Sequence, residues 1–166
     1  MKTTAFFTRV LSWLTGSRLT VDNSVVRELD LDRFLGSWYE VARFDHFFER
    51  GMSQTKANYV LRDDGNIDVI NTGIKNGKPK TAKGLAKLTD IPSLLRVSFF
   101  GPFYSDYRVM LVDADYRYML IGSGSDSYLW ILSRTPQLAD SDRIAILSEA
   151  KSRGYDTDKL IWVKQN

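Results

Sequence analysis

The chain has 166 residues, 43% of them hydrophobic and 13% aromatic, which suits one domain with a substantial core and is too apolar for a disordered chain. Its net charge of +3, with 23 basic residues spread among 20 acidic ones, argues against nucleic acid as the partner. Without cysteine and with one histidine, disulfides, thiolate metal sites and cysteine nucleophiles are excluded, and no cysteine-borne lipid anchor, metal or cofactor is expected.

Met1 to Leu14 begins like a signal peptide, with Lys2 and then Phe6-Phe7, but Arg9 interrupts the apolar run and Thr15-Gly16-Ser17 is a poor cleavage site. Phe6, Phe7, Val10, Leu11 and Leu14 follow helical spacing, so a degenerate export signal and a short amphipathic helix are both open readings. Residues 1–28 are set apart as an N-terminal extension and residues 29–166 as the main domain. No segment is long and apolar enough to span a bilayer as a helix.

Gly36-Ser37-Trp38-Tyr39-Glu40-Val41-Ala42-Arg43 opens a run of strand formers in which Gly36 permits close backbone approach and Trp38 fills the floor of a small barrel. With a period of two, Trp38, Glu40 and Ala42 face one side, and Tyr39, Val41 and Arg43 the other. Lys56 to Arg62 alternates next and ends in the turn Asp63-Asp64-Gly65-Asn66; Ile67 to Ile74 is the following strand. Gly73 to Lys80, with Asn76-Gly77 and Pro79, reads as a loop. Strands are then expected over Thr81 to Leu88, Leu94 to Phe100, Tyr107 to Val112, Tyr118 to Ser123 and Tyr128 to Ser133. Eight sequential strands joined by short loops close into an antiparallel up-and-down β-barrel wide enough for one small ligand, with a sandwich as the alternative.

The last two barrel strands are apolar on both faces, so one face needs a cover. Asp140 to Arg153 supplies a C-terminal helix, with Ser141 or Asp140 as cap, Ile144, Leu147 and Lys151 at helical spacing and Gly154 as the stop. Met119, Ile121, Leu129 and Ile131 are placed under it, leaving Tyr118, Leu120, Tyr128, Trp130 and Leu132 facing inward. Leu160 to Val163 adds a last short strand.

Three separated motifs resemble those of the lipocalins, within them the bacterial lipocalins related to the vertebrate apolipoprotein D type. They are Gly36-Ser37-Trp38-Tyr39-Glu40-Val41-Ala42-Arg43, Asp113-Ala114-Asp115-Tyr116 between strands six and seven, and Leu132-Ser133-Arg134-Thr135-Pro136. Phe99-Phe100-Gly101-Pro102-Phe103-Tyr104 and Tyr128-Leu129-Trp130-Ile131-Leu132 extend the likeness, which covers residues 29 to 165. It implies a floor where Arg134 stacks on Trp38, with Gly36, Asp113 and Tyr116 as scaffold at the closed end, and a mouth formed by the loops after strands one, three, five and seven.

Alternation then assigns the pocket lining to Glu40, Ala42, Ala57, Tyr59, Ile67, Val69, Asn71, Gly84, Ala86, Val97, Phe99, Tyr107, Val109, Tyr128 and Trp130. Glu40 and Asn71 would be costly in a dry core, which favours an open cavity over a filled barrel. Tyr59 or Tyr107 would be the partner of Glu40 if that acid is structural. At the mouth, Phe47 is expected as a lid and Phe103 as rim, together with Phe48, Tyr104, Lys75, Lys78 and Lys80, a composition suited to peripheral contact with a membrane. His46 beside Asp45 reads as structural or solvated, and no catalytic group is expected. Resemblance implies a carrier that binds a small hydrophobic ligand such as a fatty acid or lysophospholipid, as monomer or homodimer, in the cell envelope. A membrane-surface module with an empty barrel, a cytoplasmic location and an enzyme are the alternatives.

Overall fold

Tight turns join successive strands so that each pairs antiparallel with the one before it. A computed structural model describes residues 19–166, so the proposed helical or export segment over residues 6–14 lies outside the described residues. The strands are β1 (Gly36–Phe44), β2 (Ser53–Leu61), β3 (Ile67–Lys75), β4 (Lys78–Leu88), β5 (Leu94–Phe100), β6 (Phe103–Val112), β7 (Tyr118–Gly122) and β8 (Leu129–Ser133). A short helix α1 (Leu31–Phe34) precedes them; helix α2 (Asp140–Ser152) and strand β9 (Leu160–Trp162) follow. Because β1 pairs with β8 along one edge and with β2 along the other, the eight strands close into a barrel. β9 pairs with the end of β1 that β2 leaves free, at Ala42 to Phe44.

The stretch read as a loop from Gly73 to Lys80 is instead a hairpin. Asn76 and Gly77 both take positive φ, 52° and 71°, the two-residue turn whose twist matches the flanking strands, so the ladder continues through Gly73, Ile74 and Lys75 opposite Lys80, Pro79 and Lys78. β6 likewise begins at Phe103, four residues before the predicted Tyr107.

Two facing assignments are corrected. In β1, Glu40 pairs with Leu132 but Ala42 with Ile131, so Val41 is an extra residue and the alternation inverts there. Ala42 therefore joins Val41 in the outer layer, while Arg43 is 1% exposed and turns back toward Glu40. In β7, register places Ile121 opposite Trp130 and Leu120 opposite Ile131, so Met119 and Ile121 point inward and Tyr118 and Leu120 outward, the reverse of the expectation.

The outer layer buries Tyr118, Leu120, Leu129 and Ile131 with Ile146 and Ala150 of α2. Ile146 is fully buried, worth about 2 to 3 kcal/mol, whereas Ile144, expected on this face, is 70% exposed. Ala139 is the N-cap residue and offers no side-chain hydrogen bond, so neither Asp140 nor Ser141 caps the helix. The stop is as read: Gly154 sits at φ 94°, its N–H donating to the Lys151 carbonyl while that of Tyr155 donates to Ala150.

Residues 20–28 are laced to the barrel wall. Asp22 N–H donates to the Arg153 carbonyl and Val26 N–H to Val109, and Ser93 Oγ donates to the Val26 carbonyl. Arg153 in turn donates to the Asp22, Ser24 and Met110 carbonyls.

Candidate ligand cavity

The floor is built from the glycine-tryptophan opening of β1. Trp38 is fully buried, its indole Nε1 donating to the Phe34 carbonyl at 2.7 Å, and the Arg134 guanidinium carbon stands 3.6 Å from the ring centroid. Gly36, at φ 92°, carries no side chain where Arg134 Nη1 would lie 3.5 Å from a Cβ. The turn from β6 to β7 completes this closed end. Tyr116, at φ 56°, accepts from the Asp30 N–H at 2.7 Å and carries Arg33 over its ring, while the Asp113 carboxylate accepts from the Asp115 and Arg117 N–H groups.

Above the floor the barrel encloses a cavity of about 470 Å³ that opens at the other end. Period-two alternation places Ala57 and Tyr59 of β2, Val69 and Asn71 of β3, Val97 and Phe99 of β5, Tyr107 of β6 and Trp130 of β8 on its wall, with Glu40 of β1 among them. Ile67, Ala86 and Val109 are buried in the inner core but do not reach the cavity. Gly84 does not line it either: a Cβ there would come within 2.8 Å of the Phe99 ring, which lies across it. The small residue of β4 thus makes room for an aromatic ring and not for a void. Tyr128 stacks on Trp130 with centroids 5.8 Å apart and stands off the wall, and Ala42 is on the outside of the barrel.

The polar side of the cavity is a cluster that the sequence only partly disclosed. Glu40 does not bond to either tyrosine; Tyr59 and Tyr107 hydrogen-bond to each other at 2.8 Å, and burial pushes both phenols upward. Glu40 accepts from Arg43 Nη1 at 3.0 Å instead. Arg43 also donates to the carbonyls of Glu49 and Met52, at 2.7 and 3.3 Å, pinning the loop between β1 and β2 over the wall. That brings in Glu49, whose carboxyl is held well above its usual range by burial and then by the neighbouring Glu40 carboxyl. His46, only 8% exposed, packs edge-on against Phe48, Tyr128 and Trp130, and burial reinforced by Arg43 lowers it to about 4.

At the mouth, Phe48 and not Phe47 lines the cavity: its ring stacks on Phe100 at 5.4 Å, with Phe47 against it at 4.0 Å. Lys75 and Lys80 line the opening, Lys78 is exposed at the hairpin tip, and Phe103 is 49% exposed. Tyr104 turns to the outer wall beneath the Lys87 ammonium. Sequence reasoning missed Glu49, Met52, Thr55, Ser105 and Ile121 as wall residues. The spacing of His46 and Glu49 in an aromatic loop was the one available hint, and Ile121 was lost with the parity of β7.

A closed eight-stranded barrel with a plugged floor, one open end, an apolar cavity and a helix packed outside defines a small-molecule-binding barrel. A family model described as a lipocalin-like domain matches residues 29–165, and the chain belongs to the lipocalin family, within it to the bacterial group. It is 49% identical over 146 residues to the outer membrane lipoprotein Blc of Citrobacter freundii, covering 86% of this chain and 82% of that protein. It is 42% identical over 168 residues to the outer membrane lipoprotein Blc of Vibrio cholerae, covering 97% and 98%. Among solved structures, lobster apocrustacyanin A1 aligns with a TM-score of 0.71 at 19% identity over 92% of this chain and 91% of that one, a likeness of fold.

Proposed function

We propose that this protein binds and carries a single-chain lipid, a fatty acid or lysophospholipid, with the chain enclosed in the barrel. The observation that supports this most directly is the mostly apolar cavity of about 470 Å³ with one open end. Burying about ten methylenes at roughly 0.8 kcal/mol each gives about 8 kcal/mol gross, enough for micromolar binding before ordering costs. Residues proposed to contact the chain are Ala57, Tyr59, Val69, Val97, Phe99, Tyr107 and Trp130. Binding and not catalysis is the reading, since the one histidine is buried among aromatic rings.

Membrane contact at the mouth is part of the proposal. Phe100 and Phe103, 40% and 49% exposed, share this rim with Lys75, Lys78 and Lys80, and rings beside cations suit an anionic bilayer surface. The names of the bacterial relatives support a place in the cell envelope. Native mass spectrometry of the purified protein is the test. A lipid adduct, or a mass shift on adding a fatty acid or lysophospholipid, is the expected result; a barrel that stays empty under both conditions refutes the carrier reading.

A further inference from the structure

Charge is distributed unevenly across the cavity wall. Glu40 and Glu49 face the cavity and share one counter-charge, the 1% exposed Arg43, which is off the wall and lies 3.0 Å from Glu40 Oε1 and 3.6 Å from Glu49 Oε2. The lysines that touch the cavity cannot neutralise this side from within: Lys56 and Lys80 are exposed, Lys75 is half-exposed at the hairpin, and Lys56 is engaged over the Tyr39 ring outside. Buried atoms with no hydrogen-bond partner among the described residues include Thr55 Oγ1, Ser105 Oγ, both ring nitrogens of His46, Glu49 Oε2 and, 3.6 Å from it, Arg43 Nε. Thr55, Ser105 and His46 are 4%, 6% and 8% exposed, and all three are on the cavity wall. Thr55, Ser105, His46 and Glu49 can each accept a hydrogen bond, the two hydroxyls and the imidazole can also donate one, and a buried polar group left unpaired costs about 1 to 3 kcal/mol.

From this juxtaposition we propose that Glu40 and Glu49 form a subsite for the primary ammonium group of a single-chain amphiphile. The inference rests on the cavity being a ligand site. An ammonium brings three donors and no acceptor, and can donate to Glu40, Glu49 and a neighbouring wall hydroxyl, while Trp130, Tyr59 and Tyr107 supply aromatic rings on the same wall. A carboxylate head would instead meet two acids and is confined to the lysines of the rim.

The subsite also conserves charge. Burial and then the charge of Glu40 push the Glu49 carboxyl well above its usual range, with Arg43 opposing and Asp45 adding to the effect, while His46 beside it, lowered to about 4, is neutral at pH 7. Tyr59 and Tyr107, facing the acids from β2 and β6, are neutral as well. When an ammonium enters, Glu49 ionises and its proton leaves to solvent. One positive charge arrives and one departs, so the buried cluster keeps its net charge.

Displacement of a neutral hydrophobic dye by dodecylamine, dodecan-1-ol, dodecanoate and dodecyltrimethylammonium at pH 7, each below its aggregation threshold, tests the proposal. The amine is expected to bind at least tenfold more tightly than the alcohol, and the quaternary ion, which has no N–H donor, to lose most of that advantage. Glu49→Gln, which keeps the shape of the protonated acid, is expected to bring the amine to the level of the alcohol measured on the same variant. A pH indicator in weakly buffered solution should register proton release with the amine and none with the alcohol. Equal binding of amine and alcohol, a preference that survives in Glu49→Gln, or equal binding of the quaternary ion would each overturn the subsite. Failure of all four to displace the dye would overturn the cavity itself.

Discussion

Replacing Arg134 with alanine tests how the closed end is held. Its Nη1 donates to the Ser37 carbonyl at 2.8 Å, and its Nη2 to the Arg33 and Leu35 carbonyls at 2.5 and 2.9 Å, while the guanidinium stacks on Trp38. The carbonyls of Arg33 and Leu35 lie at the end of α1, which has too few residues to satisfy them internally. Because Arg134 is partly exposed, water replaces some of what is lost, and each hydrogen bond is worth about 0.5 to 1 kcal/mol, with a similar amount from the stacked cation. The loss is therefore about 3 kcal/mol, or roughly 6 to 12 °C in melting temperature for a domain of this size. Arg134→Lys, which keeps the charge but not the planar fork, should lose about half as much. Thermal melts and urea titrations followed by circular dichroism give the stability, and a fluorescent fatty acid gives binding at a temperature where both proteins are folded. Affinity should be unchanged, since Arg134 is not on the cavity wall. Melting within about 2 °C of wild type, or a collapse of binding without loss of stability, would refute the floor argument.

Three other outcomes are expected. Trp130→Ala should weaken fatty-acid binding at least tenfold, and Tyr128→Ala, which stacks behind Trp130, roughly threefold; unchanged affinity in a well-folded Trp130→Ala protein would sink the wall assignment. His46 is lowered from 6.5 to about 4, so between these pH values the unfolded chain takes a proton that the folded one refuses, and stability falls on acidification by up to about 3 kcal/mol. Glu49, raised by burial, contributes the opposite slope above its ordinary value of 4.5, so the comparison to make is wild type against His46→Gln, in which the acid-side loss should shrink; identical urea-derived profiles would contradict it. Changing Lys75, Lys78 and Lys80 together to glutamate should abolish salt-sensitive flotation with anionic liposomes, and flotation indifferent to both salt and the substitution would end the membrane-contact reading.

Much of the fold was legible because β-barrels write themselves in local terms. Turn residues at Asp64-Gly65 and Asn76-Gly77, strand formers between them and a glycine-tryptophan start specify eight hairpin-linked strands without reference to distant contacts. Trp38, Tyr59, Val69, Asn71, Val97, Phe99, Tyr107 and Trp130 were placed inward correctly because their strands alternate cleanly between apolar and polar or carry an unbroken register. Where both faces are apolar, as in β7, periodicity has no sign, and only pairing with β8 decides that Ile121 faces in and Leu120 out. A single extra residue at Val41 does the same to β1, sending Ala42 outside and drawing Arg43 in, and nothing local marks the bulge. The polar cluster follows from that inversion. Once Arg43 is inside, it needs a counter-charge and takes Glu40, and its remaining donors pull down the loop that carries His46 and Glu49. The sequence by itself thus determined the barrel, its floor and most of its apolar wall, all set by local pattern. The chemistry at its mouth was decided by the tertiary structure, because it depends on one change of parity and on how a loop satisfies a buried charge.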